Sequence, residues 1–432
     1  MSIVVADELL VVLGGRVAGT LTRLENARLH LEYDEAYRER PDATPLSLSM
    51  PIQVRAHADD RRRQTVTNYL RGLLPDNEAV LDRWARHYQV SASSAFALLG
   101  TPIGEDCAGA VAFCRAGDLE RLLARPGTVN WLGEAEVAGR LRDLRRDATA
   151  WLGRRFTGQF SLAGAQAKTA LLHRDGRWGQ PSGAMATTHI LKPAVSGFDD
   201  HDLNEHLCLD AARRANLLAA RSWIATFEDQ TAVVIARYDR RVSGEEIVRI
   251  HQEDLCQALG IPPGRKYQNE GGPTPGAIAV LFRRSMAPAA ADDAVARFAD
   301  ALVWNWLVAG TDAHAKNYSL LLSGPEVRLA PLYDIASALP YGTHERKLRL
   351  AMKVGDEYAV HPGRNTWPRA AQELGIDADR LVSRVRELAA AAPAAFADAA
   401  AAPEVVALGR KMPAKLVDLV AERARRCAAL VG

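Results

Sequence analysis

Cysteine is scarce and unpatterned. Five occur in 432 residues, an odd number with no Cys-x-x-Cys pair, which excludes a disulfide framework or a cysteine-built zinc site and points to thiols in a reducing compartment. An excess of one charge is also missing: 54 basic residues face 52 acidic ones, for a formal +2. That balance argues against a dedicated nucleic-acid or membrane binder. The basic stretches "RRRQ" (61–64) and "LRDLRRDATAWLGRR" (141–155) read as solvated helix faces. No apolar run approaches the roughly 20 residues of a membrane span. The opening "MSIVVADELLVVLGG" is apolar but carries Asp7 and Glu8 and lacks a basic leader; it reads as a first strand rather than a signal peptide. A soluble, cytoplasmic protein with no membrane partner is expected, and no repeat of solenoid length is evident.

What is present is organised into β-rich and helical parts. "LLVVLGGRVAGTL" is two β-type runs joined by Gly14-Gly15, a hairpin signal. "ARLHLEY" (27–33) alternates and extends the same sheet, and "NEAVLDRWARHY" turns helical. Residues 1–115 are therefore expected to form a small α/β module, 116–155 a charged helical connector, 156–244 a β-rich lobe and 245–432 a mostly helical one. In the β-rich lobe "GQFSLAGAQAKTALL" reads as strand, glycine-containing loop and strand. "TTHILKP" reads as a strand stopped by Pro193, "NEHLCLDAARRANL" (204–217) as a helix, and "TAVVIARYDR" as a buried strand with a polar end. "DDAVARFADALVWNWLVAG" reads as a helix with Asp292 and Asp293 as N-cap candidates, Val295, Phe298, Leu302 and Trp306 inward, and a stop at Gly310. The Ala-rich "RELAAAAPAAFADAAAAP" reads as helices broken by proline.

The densest chemistry lies in "NWLVAGTDAHAKNYSLLL" (305–322). Asp312 and Asn317 stand five apart, the separation of base and metal-binding Asn in a kinase catalytic loop. One carboxylate must meet the attacking hydroxyl while an amide oxygen nearby holds Mg²⁺, a hard ion that takes oxygen ligands. A second carboxylate is needed, and a hairpin through "YSLLLSGPEVRLAPLYDIAS" returns the chain to Asp334. Other readings stay open here. Asp312 and Asn317 could close a capped turn, Asp334 could cap a short helix "IASAL", and Lys316 could be an exposed loop lysine. Lys192 shares a strand face with Ile190 and, if buried, needs an anionic partner; ATP phosphates or Glu205 would serve, whereas a solvent-reaching lysine is the alternative. The loop "SLAGAQAKT" (161–169) could cover phosphates with its backbone amides or be a tight hairpin. Ala236, Tyr238 and Asp239 could meet adenine and ribose at a strand end. His314 has no partner at zinc-like spacing and reads as a brace of the loop.

Taken in order, "FSLAGAQAKTALL", "THILKP", "NEHLCLDAA", "IARYDRR", "HQEDLCQALG", "KYQNEGGP", "NWLVAGTDAHAKNYSLLL", "LAPLYDIASALPY" and "LRLAMKVG" closely resemble the HipA family of bacterial serine/threonine kinases, toxins of toxin–antitoxin modules. "TPLSLSMP" and "YLRGLLPDNEAVLDRW" resemble the family's N-terminal part, so the likeness spans nearly the whole chain. The resemblance implies an α+β, two-lobed protein-kinase-like fold using ATP and Mg²⁺. It implies Asp312 as catalytic base, assisted by Lys316, with Asn317 and Asp334 as magnesium ligands and Lys192 on phosphate, paired with Glu205. It implies a phosphate loop over 162–169, with Ala163, Gly164, Ala165, Gln166 and Lys168 at ATP together with Ala236, Tyr238, Asp239 and His314. Ser161 matches a serine that family members autophosphorylate to inactivate themselves. The implied partners are a small helix-turn-helix antitoxin, through which DNA is bound, and a protein substrate such as an aminoacyl-tRNA synthetase. Two departures from the family pattern are Ala313, where Gly is usual, and Ala236, where an acidic residue is familiar. Competing readings are an ATP-binding co-repressor of weak catalysis, a kinase for lipids or small molecules, and a metal-dependent hydrolase using Asp312 and His314.

Overall fold

A computed structural model of the chain describes residues 7–124, 127–152, 160–195, 197–244, 246–342, 344–361 and 365–431. The first six residues of the expected N-terminal strand and the last three of the basic stretch 141–155 lie outside this range. The chain forms two compact units, each assembled from three stretches. One comprises Met1–Leu191, Arg237–Gly264 and Leu320–Val327; the other comprises Lys192–Ala236, Arg265–Ser319 and Arg328–Gly432.

The first unit begins with an antiparallel sheet in the order His57–Ala58, Leu29–Tyr33, Arg16–Arg23, Asp7–Leu13, Val111–Cys114. Gly14 and Gly15 both have positive φ, at 59° and 79°, so the hairpin turn is of the kind whose twist matches its strands. A β-carbon on Gly19 would lie 2.2 Å from the Glu32 carbonyl oxygen of the neighbouring strand, so that position admits no side chain. Helix Glu78–Tyr88 begins where Asn77 accepts from the Ala79 amide, as its sequence suggests. The segment 116–155, expected as a charged helical connector, also holds a strand among its described residues. Helices Leu119–Leu123 and Glu134–Arg146 are there, but Thr128–Leu132 is a strand paired with Arg177–Ser182. Thr128-Val129 and Trp131 are good strand formers that the surrounding charge obscures.

That strand belongs to an antiparallel set in which Arg177–Ser182 pairs with Thr169–Arg174 and the latter with His189–Pro193, Thr169 opposite Leu191. Gly158 and Gln159, the start of the strand expected before the loop at 161–168, lie outside the described residues. The loop is an irregular segment leading into Thr169–Arg174, with Gly164 at φ 103°, a conformation open to glycine.

The second unit carries the hairpin Ser222–Phe227/Gln230–Ala236 and most of the long helices. Helix His201–Arg214 starts three residues before Asn204. Helix Pro288–Leu307 starts at Pro288, with Ala287 as N-cap, and not at Asp292 or Asp293. Proline at the first helical position has its φ already set and lacks only an N–H that would be unbonded anyway. Helix Ala378–Ala400 runs through Pro393 rather than breaking there. The lost hydrogen bond is offset by an Ala-rich backbone and by burial of Ala389, Ala392 and Phe396. This helix packs against both Met412–Val431 and His201–Arg214. Among the described residues no helix is long and apolar enough to cross a membrane.

Candidate active site

Helix Pro288–Leu307 ends in a turn that the sequence dictates atom by atom. Ala309 is left-handed at φ 51°; the Gly310 amide donates to the Asn305 carbonyl at 2.7 Å, and a β-carbon at Gly310 would come within 2.4 Å of Asn305 Oδ1. The chain then folds the "TDAHAKN" segment on itself. His314 N donates to the Asp312 carbonyl at 2.8 Å, Asn317 N to the His314 carbonyl at 2.9 Å, and Asn317 Nδ2 to the same Asp312 carbonyl at 2.8 Å. The backbone oxygen of Asp312 closes the turn, so its carboxylate is not a cap. That side chain is 68% exposed and accepts a hydrogen bond from the Tyr267 hydroxyl at 2.6 Å. Because a carbonyl only accepts, the amide nitrogen of Asn317 is the atom that faces it, and the Asn317 oxygen lies on the other branch of the side chain. Ala313 does not need positive φ, so this departure from the family pattern brings no backbone strain.

His314 and Lys316 are both buried, which removes the exposed-lysine reading of Lys316. Its carbonyl accepts from Tyr333 Oη at 2.8 Å. The His314 ring meets the Tyr267 ring edge-on at 5.0 Å, and its Nε2 lies 4.0 Å from Asp312 Oδ2. Burial holds the His314 pKa below its ordinary value against the pull of Asp312, so the imidazole is neutral near pH 7 and braces the loop.

Lys192 is 5% exposed and does not reach for solvent. Its ammonium donates to Glu205 Oε1 at 2.7 Å and Asp334 Oδ1 at 2.5 Å. Burial alone would discharge it, but Asp334 and then Glu205 more than offset that and raise its pKa. Asp334 itself is left-handed at φ 57°, a conformation that costs a non-glycine residue about 1 kcal/mol or more. No helix follows at 335–338 among the described residues, so the capping reading of Asp334 falls. The segment is held instead by Asn204, whose amide donates to the Ser337 carbonyl at 2.8 Å and accepts from the Ser337 amide at 2.9 Å. Lys192, Glu205, Asp312, His314, Lys316, Asn317 and Asp334 all belong to the second unit. The electrostatic environment of His314 includes Asp312, Lys316 and Asp334 together.

The remaining predicted residues lie in the first unit, apart from Ala236, which ends strand Gln230–Ala236. Ser161 is fully buried and its hydroxyl donates to the Leu73 carbonyl at 2.7 Å. Lys168 turns back under its own loop, donating to the Ala163 carbonyl at 2.6 Å with its ammonium 5.0 Å from the Trp151 ring. The Asp76 amide donates to the Gly164 carbonyl at 3.0 Å. Gln166 Nε2 is buried with no partner among the described residues, a donor in need of an acceptor oxygen. Ala165 is the exposed tip of the loop.

Asp239 is corrected. It is 2% exposed, accepts from Arg237 Nη2 at 2.8 Å, Arg240 Nη1 at 2.9 Å and the Gly109 amide at 2.7 Å, and has no surface left for a ribose. Burial opposes its charge, but Arg237 and Arg240 outweigh that and depress its pKa. Asp106 completes the cluster, bound to Arg240 Nη2 at 2.8 Å and Thr187 Oγ1 at 2.6 Å. Tyr238 engages Gln252 through its hydroxyl. Sequence reasoning missed Asp106, Asn204 and Tyr267. Asn204 and Tyr267 had a signal, their places in "NEHLCLDAA" and "KYQNEGGP", where neither residue had been given a role.

Among the described residues no group of three His, Cys, Asp or Glu side chains is disposed to hold a metal, so Asp312 and His314 gain no third such ligand there. The pair Asn317 and Asp334 suits a different ion. Magnesium is commonly held by one or two protein oxygens, the rest coming from phosphates and water, and an amide oxygen with a carboxylate is such a donor set.

A β-rich N-terminal part, a helical C-terminal part and a strand lysine held between a helix glutamate and a downstream aspartate define a protein-kinase-like fold. The description "HipA-like C-terminal domain" matches residues 160–396, and "HipA N-terminal domain" matches residues 9–114. The chain belongs to the HipA family of serine/threonine kinase toxins. It is 34% identical over 380 residues to putative kinase Y4mE of Sinorhizobium fredii, covering 87% of each chain. It is 30% identical over 368 residues to the serine/threonine-protein kinase toxin HipA of Shewanella oneidensis, covering 82% of this chain and 80% of that one. The fold is shared with a Shewanella oneidensis HipA solved with HipB and operator DNA, at TM-score 0.81 and 24% identity over 98% of both chains.

Proposed function

We propose that this chain is the toxin of a toxin–antitoxin module, a serine/threonine protein kinase that uses ATP and Mg²⁺ to phosphorylate a cellular protein and so arrest growth. The observation that carries the reading is Lys192, a buried cation shared by Glu205 at 2.7 Å and Asp334 at 2.5 Å. A buried charge persists only with such partners, and this triad is the device by which kinases hold phosphate oxygens. In this reading Asp312 accepts the proton of the acceptor hydroxyl as its oxygen bonds to the γ-phosphorus and ADP departs. Lys192 holds the phosphates that remain, and Lys316 offsets charge on the transferred group. Asn317 and Asp334 would hold magnesium, which when bound neutralises phosphate charge. The loop of Ala163, Gly164, Ala165 and Gln166 would lie along the phosphates, with Lys168 as its brace, and the end of strand Gln230–Ala236 would receive adenine. His314 keeps the loop in register.

Residues 1–115 form the family's N-terminal module in this proposal, 116–155 a connector, and 156–244 and 245–432 the two kinase lobes. The substrate we infer is an aminoacyl-tRNA synthetase, whose loss halts translation. The partner is a small DNA-binding antitoxin of the helix-turn-helix class, and the near-neutral charge of this chain leaves DNA binding mainly to that partner. Phosphorylation of Ser161 would switch the enzyme off, since a group of nearly two negative charges repels ATP phosphates.

The test is intact-mass and peptide analysis of the chain after incubation with Mg²⁺-ATP, beside Asp312→Asn. Phosphate appearing on Ser161 of the wild type and not of the variant is the expected result. An unmodified wild-type chain that still gains no phosphate and turns over no ATP would sink the kinase reading in favour of a nucleotide-binding co-repressor.

A further inference from the structure

The segment "KYQNEGGP" (266–273) has no part in the function described so far, yet it is built with care. The Tyr267 carbonyl accepts from the amides of Glu270 at 3.0 Å and Gly272 at 2.9 Å. Gly271 is left-handed at φ 93°, and a β-carbon on Gly272 would lie 2.7 Å from the Tyr267 oxygen. Both glycines are therefore needed for the turn. The side chain of Gln268 accepts from the Lys353 amide at 2.7 Å, and the Lys266 carbonyl accepts from the Ala315 amide at 3.1 Å. The last bond ties the turn to the "TDAHAKN" loop. Everything in this construction fixes one side chain, Tyr267, whose hydroxyl donates to Asp312 Oδ1 at 2.6 Å while its ring meets His314 at 5.0 Å.

We propose that Tyr267 is a positioning residue for the catalytic base, an inference that rests on the kinase reading of Asp312. An aspartate that is 68% exposed on a turn rotates freely about its side-chain bonds, and a base must present one lone pair to the acceptor hydroxyl. A charge-assisted hydrogen bond from a held phenol removes that freedom. It occupies Oδ1 and leaves Oδ2, on the His314 side, to take the proton. Tyr267 touches neither ATP nor the phosphoryl group in this account. Its effect passes through Asp312, so it belongs to the transfer step and not to nucleotide binding.

The experiment compares wild type, Tyr267→Phe and Asp312→Asn. It measures the initial rate of phosphate incorporation into the chain from labelled Mg²⁺-ATP, the hydrolysis of ATP to ADP and phosphate by water, and the thermal midpoint. Tyr267→Phe keeps the ring on His314 and loses only the hydroxyl. Incorporation is expected to fall roughly 10-fold, a part of what a general base contributes, while the ATP concentration for half-maximal rate and the thermal midpoint hold. Hydrolysis is expected to fall less, because water reorients to meet a wandering carboxylate and a tethered serine does not. A merely structural role would lower both rates together and lower the midpoint with them, which overturns the inference. So does an active wild type whose incorporation rate is indifferent to Tyr267→Phe, the kinase reading being left intact. An inactive wild type overturns that reading first and this one with it.

Discussion

Ser161 Oγ donates to the carbonyl oxygen of Leu73, 88 positions earlier in the chain, at 2.7 Å, and no part of the serine reaches solvent. Its amide donates to the Asp106 carbonyl at 2.9 Å. A hydroxyl so placed can be phosphorylated only after the segment leaves its seat, and a phosphate cannot return to a site whose neighbour is a carbonyl acceptor.

The first prediction concerns this asymmetry. Ser161→Ala is expected to lower stability by about 1–2 kcal/mol, through the orphaned Leu73 carbonyl, read as a modest drop in the thermal midpoint. The phosphorylated chain is expected to be cut by protease within 160–169 while the unmodified chain resists. Equal resistance of the two forms would show that the modified serine stays buried.

Asp239 separates structure from nucleotide binding. With Arg237 and Arg240 each 1–2% exposed in their side chains, Asp239→Asn leaves two buried cations short of a counter-charge and is expected to cost on the order of 3 kcal/mol. The affinity of the folded protein for ATP, measured by calorimetry well below the midpoint, is expected to stay within about two-fold of wild type. A large loss of affinity at unchanged stability would restore Asp239 to the nucleotide site.

Glu253 makes the protein sensitive to alkali. Burial pushes its carboxyl up to about 8, against the lowering effect of Ser47 and of the Leu48 amide, which donate to it at 2.5 and 2.8 Å. Between the unfolded value near 4.3 and about 8 the folded chain holds a proton that the unfolded chain does not. Stability therefore falls as pH rises through this window, by up to a few kcal/mol. His189 and His251, both depressed to about 4, act in the opposite sense but only below about pH 6.5. The thermal midpoint should thus drop from pH 6.5 to 8.5 in the wild type and stay level in Glu253→Gln. A level wild type refutes the protonated carboxyl.

What could be read before any coordinates were known was local or periodic. Asp312 and Asn317 are five apart, Lys192 sits on a β-type run, Glu205 on a helical one, and Asp334 at the end of a hairpin. Each of these facts lies within a single short element or one hairpin of chain. What could not be read depends on meetings across long separations. Tyr267 finds Asp312 across 45 positions, and Asp106 finds Arg240 across 134. No spacing rule encodes such pairs, so Asp239 could be taken for a ribose ligand when its partners were arginines beside it and the turn at Gly109 far upstream. The strand Thr128–Leu132 and the unbroken helix through Pro393 were lost for a related reason. Tertiary pairing and packing decided them against local charge in one case and local proline in the other.

The division of each unit into three stretches bears on the moment at which the protein becomes dangerous. Its chain passes from one unit to the other after Leu191, Ala236, Gly264, Ser319 and Val327. The usual order, in which an N-terminal domain folds while the rest is still on the ribosome, is closed to it. The first unit lacks a piece until Val327 is made, and Lys192 waits 142 positions for Asp334. Any product of interrupted synthesis shorter than that has no closed ion triad. A chain assembled in this way cannot hold its buried lysine between both carboxylates until synthesis has passed Asp334.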